Sequence, residues 1–112
     1  MSGITTHILD LSRGRPAAGV AVSLARRSGD AWSELGRART DANGRVTNLL
    51  SGDTKAAPGT YRLRCETGAY FSSQGVASFH PLVEIVFEVR DAEDYHVPLL
   101  VSPFSYTTYR GS

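Results

Sequence analysis

A second cysteine is missing from this chain of 112 residues. No intramolecular disulfide can form, and a metal centre built on several thiolates is excluded. Cys65 alternates with Arg64 and Glu66 on an apolar strand face, so it reads as a buried, inert thiol rather than a nucleophile. A lone unpaired cysteine fits a reducing compartment. No run approaches the ~20 apolar residues of a membrane span. Strong charge of either sign is also missing. Twelve basic and eleven acidic side chains leave a net charge of +1, which argues against nucleic acid held through its phosphates and against a polybasic membrane surface. The N-terminal stretch Met1 to His7 lacks a basic region followed by an apolar one, so a signal peptide is not expected, and the expected location is cytoplasmic.

There is no low-complexity stretch, long linker or internal repeat, and a single domain over residues 1–112 is expected. The dominant pattern is period two, broken by Gly, Pro, Asn and Asp, and predicts an all-β fold. Expected strands are Ile4 to Leu11, one around Val20, Val22 and Leu24, Trp32 to Thr40, Val46 to Leu49, Tyr61 to Cys65, Val83 to Val89, Tyr95 to Val101 and Tyr106 to Arg110. Asp41-Ala42-Asn43-Gly44 is a strong turn signal, because Asn-Gly tolerates positive φ. One short helix is expected over Gly68 to Gln74. Seven or eight short strands in this length suggest a two-sheet sandwich. Its edges lack an obvious Lys or Pro guard, so edge-to-edge pairing is plausible.

Alternation sorts the faces. Tyr95, Val97, Leu99 and Val101 form one face of their strand and look like core. His96, Pro98 and Leu100 form the other, and an outward face carrying Pro and Leu is usually covered by something, often another subunit. His7, Leu9 and Leu11 share a face, as do Thr107 and Tyr109. One outer sheet surface could therefore collect His7, Leu9, His96, Pro98, Leu100, Thr107 and Tyr109. Apolar walls with a few convergent polar groups describe a small-molecule site. A neutral imidazole can take a proton from water. Two imidazoles could serve as base and orienter. A guanidinium, Arg45 or Arg110, could hold a planar anionic heterocycle and a developing oxyanion.

Blander readings stand beside these. A lone histidine is most often a surface or satisfied residue, His80 sits in a Phe-His-Pro turn, and an Arg after an Asn-Gly turn is usually just solvated. The run from Asp41 superficially looks like a calcium loop, yet its twelfth position is Gly52 rather than a bidentate Glu, so no metal is expected. No G-x-S-x-G elbow is present, and the carboxylates form no acid/base dyad. The chain ends on Tyr109-Arg110-Gly111-Ser112 directly after a strand-like run. That suggests a terminus held in place for use, against the plain alternative of a strand that stops there.

Taken together, Thr6-His7-Ile8-Leu9-Asp10, Arg13-Gly14-Arg15-Pro16-Ala17, Thr40 to Arg45, Val83 to Phe87, Tyr95 to Leu100 and Ser102 to Ser112 resemble the transthyretin-related 5-hydroxyisourate hydrolases of purine catabolism, over essentially the whole chain. The resemblance implies a β-sandwich of two four-stranded sheets with one short helix. It implies a homotetramer, in which two chains pair through edge strands and two dimers stack face to face around a channel with active sites at the dimer–dimer interface. Catalytic positions then map to His7, His96 and Arg45. Substrate-binding positions map to His7, Arg45, Tyr109, Arg110 and Ser112, joined by Thr107, Pro98 and Leu100 of the outer face. No cofactor or metal is implied. A transthyretin-like ligand carrier is the rival reading, and such carriers lack the two histidines, the Arg and the terminal tetrapeptide. The link Ser78-Phe79-His80-Pro81-Leu82 departs from some members and falls away from these positions.

Overall fold

A computed structural model describes residues 3–50 and 55–112; Gly52, the position that decided against a calcium loop, lies outside them. Ten elements follow in order: β1 (Ile4–Asp10), β2 (Arg15–Pro16), β3 (Ala21–Ser28), β4 (Ala31–Arg39), β5 (Arg45–Val46), β6 (Gly59–Cys65), α1 (Thr67–Ser72), β7 (Val83–Val89), β8 (Tyr95–Val101) and β9 (Tyr106–Thr108). They build the expected all-β sandwich with one short helix.

One sheet has the order β4-β3-β6-β7 and is antiparallel throughout. The other has the order β2-β1-β8-β9, with β5 also pairing to β1, so it counts five strands rather than four. The extra members are two-residue pieces. Arg15–Pro16 falls in what the sequence marks as a turn, and Pro16, which lacks an N–H, fits only at such an edge. The strand expected over Val46 to Leu49 ends at Val46, and Leu49 and Leu50 bury themselves in the core instead. The helix begins at Thr67 and stops at Ser72.

Both inner faces follow the period-two rule. In β1, Ile4, Thr6, Ile8 and Asp10 are buried while Thr5, His7 and Leu9 are half-buried. The two polar members pointing inward are satisfied, as buried polar groups must be. Thr6 donates to the Val97 carbonyl at 2.7 Å. Asp10 accepts from Ser12 Oγ at 2.6 Å and from the Tyr70 hydroxyl at 2.7 Å. Against β1 and β8 (Ile4, Ile8, Val97, Leu99, Val101) pack Val22, Leu24, Tyr61, Leu63, Cys65, Val83 and Val89 of the other sheet. Cys65 is fully buried, and burial pushes its thiol pKa up to about 12.

The decisive pairing is β1 with β8. It is parallel and joins segments about ninety residues apart, with Thr5 opposite His96, His7 opposite Pro98 and Leu9 opposite Leu100. Parallel neighbours in register share a face. This pairing places both histidines on the outer surface of the five-stranded sheet.

Candidate active site on the outer sheet face

His7 comes from the middle of β1. Directly beside it in register lies Arg45 of β5, delivered by the Asp41–Gly44 turn. That turn closes with the Gly44 N–H donating to the Asp41 carbonyl at 2.9 Å. The Asp41 carboxylate accepts the N–H groups of Asn43 at 2.8 Å and Arg45 at 3.0 Å. Those backbone bonds, Arg45's first, hold its carboxyl below the usual range, aided by the charges of Arg45 and His7. Gly44 adopts φ +75°, a region open to glycine at little cost, and its carbonyl accepts the Ile8 N–H at 2.7 Å. The loop is thus stapled to β1, and the Arg45 guanidinium, exposed, has no hydrogen-bond or ion-pair partner among the described residues.

The two imidazoles are held differently. His7 Nε2 lies 2.9 Å from the carbonyl oxygen of Asn43. A carbonyl only accepts, so Nε2 carries the hydrogen and Nδ1 is the free nitrogen of neutral His7. His96 Nδ1 lies 2.7 Å from the Thr5 hydroxyl oxygen, which leaves Nε2 free. Partial burial lowers the pKa of His96, and the charge of Arg45, and of His7 when protonated, lowers it further. The register places Arg45 opposite His7, and His96 two residues before Pro98, the β8 partner of His7.

The terminal segment runs antiparallel beside β8 at the edge of this sheet. Leu100 pairs with Thr107, and Leu99 with Thr108. Farther along, Gly111 bridges His96, donating its N–H to the His96 carbonyl at 2.8 Å. The register is unbroken between the two, so Tyr109 falls opposite Pro98 and Arg110 opposite Val97. A Cβ on Gly111 would stand 2.6 Å from His96 Cδ2 and 3.1 Å from Pro98 Cγ, so only glycine fits against the ring.

The structure therefore brings His7, Arg45, His96, Pro98, Leu100 and Thr107 onto one surface. Tyr109 is 57% exposed at its border. Ser112, one residue past Gly111, is exposed. Arg110 goes elsewhere. Its guanidinium stacks 4.3 Å from the Tyr95 ring centroid and lies 3.4 Å from Glu93, lining an edge cleft of about 480 Å³ with Ile85 and Phe87. Within one protomer it is not beside the imidazoles, because odd and even positions of the last strand face opposite ways. The His80 ring packs edge to face against Phe79 and Tyr106. Two contributors escaped the sequence reading. Thr5 could have been found two residues before His7 on the same face. The carbonyl of Asn43 left no side-chain signal.

Fold and face together define a transthyretin-like sandwich that carries two imidazoles and an unpaired guanidinium where its outer sheet lies open. The chain belongs to the HIUase/Transthyretin family, whose pattern matches residues 4–111. It is 47% identical over 117 residues to the 5-hydroxyisourate hydrolase of Caulobacter vibrioides, with all of each chain covered. Among solved structures, the 5-hydroxyisourate hydrolase of Klebsiella pneumoniae superposes with a TM-score of 0.88 at 38% identity, covering 100% of this chain and 94% of that one. Transthyretin from Sparus aurata superposes with a TM-score of 0.91 at 34% identity, covering 99% and 97%. Backbone similarity does not separate hydrolase from transthyretin, so the side chains on the open face must.

Proposed function

We propose that this protein is an enzyme that opens the ring of 5-hydroxyisourate by hydrolysis, giving 2-oxo-4-hydroxy-4-carboxy-5-ureidoimidazoline in urate degradation. Water adds to a ring carbonyl, the cyclic amide C–N bond breaks, and the leaving nitrogen gains a proton. The observation that carries this reading is the convergence of His7, Arg45 and His96 on one face, with Arg45 unpaired. A free guanidinium is ready for an anionic heterocycle and for the oxyanion that forms on water addition. His96 suits the base. Its lowered pKa keeps the ring neutral near pH 7, and its free Nε2 can take the water proton and return it to the leaving nitrogen. His7 Nδ1 orients the water. Tyr109, Thr107 and Ser112 shape the entrance, with Pro98 and Leu100 as its floor.

This reading includes the quaternary arrangement. A homotetramer in which chains pair through edge strands and two such dimers stack face to face would bury the outer face and enclose the substrate between dimers. Arg110 then belongs to the edge cleft rather than to the imidazoles of its own chain. A single buried cysteine, Cys65, suits a cytoplasmic setting. No helix among the described residues is long and apolar enough to cross a membrane.

The test is direct. 5-Hydroxyisourate is generated in situ from urate with urate oxidase, and its ultraviolet absorbance is followed against spontaneous decay. Accelerated loss is expected, abolished in His7→Ala and His96→Ala. No acceleration from a folded, assembled protein would overturn the reading in favour of a ligand carrier.

A further inference from the structure

His96 is gripped on both flanks of its ring. Gly111 packs against Cδ2, and the Thr5 hydroxyl lies 2.7 Å from Nδ1. Thr5 sits directly opposite His96 in the parallel β1·β8 pairing, so the contact is built into the sheet register and not reached by a flexible side chain. Its χ1 is stiff by β-branching. The position is a half-buried strand site, where valine has the same shape and similar strand propensity. The hydroxyl is therefore not required for folding, and no other hydrogen bond of this side chain occurs among the described residues.

We infer that Thr5 is a positioning residue for His96: its hydroxyl receives the Nδ1–H hydrogen, fixing the ring tautomer so that the lone pair of Nε2 faces the substrate. The inference rests on the hydrolase reading and adds a residue to it. The proton balance follows. Neutral His96 carries its hydrogen on Nδ1, bonded to Thr5. Nε2 takes one proton from water as the oxygen bonds to the ring carbonyl carbon, and the imidazolium keeps the same bond to Thr5. Nε2 then gives that proton to the departing nitrogen, and the ring returns to its starting tautomer. Thr5 is never protonated. The bond strengthens while the ring is charged, because charge-assisted hydrogen bonds are the stronger kind. The opposite tautomer, with hydrogen on Nε2, would leave His96 without a lone pair at the face. His7 is fixed the same way in principle, by the Asn43 carbonyl. There the acceptor is backbone and cannot be removed by substitution, which makes Thr5 the testable member of the pair. The charged or titratable groups facing His96 are His7 from β1 and Arg45 from β5. The neighbouring edge segment presents Gly111 opposite it, and Tyr109 stands one step away opposite Pro98.

Thr5→Val and Thr5→Ser separate the hydroxyl from the side chain's bulk. Thr5→Val is expected to lower kcat at least ~10-fold with KM within about twofold, on the scale of a lost general-base contribution. Its acid limb should move to lower pH, since a bond that favours the charged ring is gone. Thr5→Ser is expected to restore kcat to within a few-fold. Nitrogen-15 NMR of the His96 ring, read without substrate, should show the Nδ1–H tautomer in wild type and Thr5→Ser, and a shift toward Nε2–H in Thr5→Val. Wild-type kcat and tautomer in Thr5→Val would overturn the inference. Equal losses in Val and Ser variants would also overturn it, by assigning the effect to packing of the methyl group. A wild-type protein that folds but fails to accelerate ring opening would instead sink the hydrolase reading, and the NMR result would still decide whether Thr5 sets the tautomer.

Discussion

Gly111→Ala adds one methyl group at the point where the terminal segment pairs beside His96. The new Cβ would stand 2.6 Å from His96 Cδ2 and 3.3 Å from Cγ. Carbon atoms pack at roughly 3.5–4.0 Å, so ring and backbone must separate by about 1 Å. Two responses are available. The ring can swing toward Thr5, where a 2.7 Å hydrogen bond has no room to shorten, and so must tilt out of line. Or residues 109–112 can lift, breaking the 2.8 Å bond from the Gly111 N–H to the His96 carbonyl. Either way the free Nε2 loses its setting, and a misplacement of about 1 Å at a reacting group can cost ~100-fold in rate. The site is at the end of a strand, so the strain should relax there. Stability should fall by no more than the ~1–3 kcal/mol typical of overpacking. The assay is the coupled urate oxidase measurement, run beside thermal unfolding. Gly3→Ala, whose added Cβ would meet nothing closer than Asp94 Oδ1 at 3.8 Å, serves as the control. Turnover of Gly111→Ala within a few-fold of wild type would refute the reasoning, because the ring would then not depend on the terminus for its position.

Two further outcomes follow from the site and the core. Arg45→Ala should lower kcat/KM by ~10²–10³-fold if its guanidinium meets the developing oxyanion. The same change should raise the acid limb of kcat/KM, which in wild type is expected below the ordinary histidine value of about 6.5, since a positive neighbour that disfavours protonated His96 is removed; a limb that stays put or falls would contradict the assignment of His96 as base. Cys65, with its pKa pushed up to about 12 by burial, should resist a disulfide-exchange reagent in the native protein and react fully once denatured, as read by thiol absorbance; rapid labelling of folded protein would contradict its burial.

Much of this fold is written in alternation. β1, β6, β7 and β8 fall within a residue or two of where Val, Ile, Leu and Tyr recur at every second position, because a half-buried strand has little choice about which residues face the core. β2 and the shortened β5 were not legible. Two-residue strands carry no periodicity, and Leu49 turns inward from a loop as easily as from a strand. For the outer face, alternation sorted His7 from Ile8 and His96 from Val97, while strand order stayed hidden. The parallel β1·β8 pairing is a long-range choice made by core packing, and it alone puts Thr5 against His96. The opposite facing of Arg110 and Tyr109 was available from period two, but the shared tetrapeptide motif drew both into one site.

The covering of the open face is the remaining claim that a single substitution can decide. Leu9 and Leu100 lie opposite each other in register and are only half-buried in one protomer, while Leu11 is 55% exposed. Arg45 stands among them exposed to solvent, where its attraction for an anion is screened; excluding water would strengthen it. A second copy stacked here would bury these leucines and enclose His7, Arg45 and His96 in the same step. Full burial of one leucine contributes roughly 1.5–3 kcal/mol, and an isologous interface repeats each contact. Leu100→Arg replaces that gain with a charge that must be desolvated, once per subunit. Analytical ultracentrifugation should show the four-chain species giving way to two chains, since the strand edges are untouched. The far-ultraviolet circular dichroism should not change, because Leu100 contributes nothing to the inner core. Ring opening should fall with the mass and recover partly at high protein concentration. A variant that keeps both its mass and its activity would mean that the face is not the interface, and that the two histidines work on an open surface.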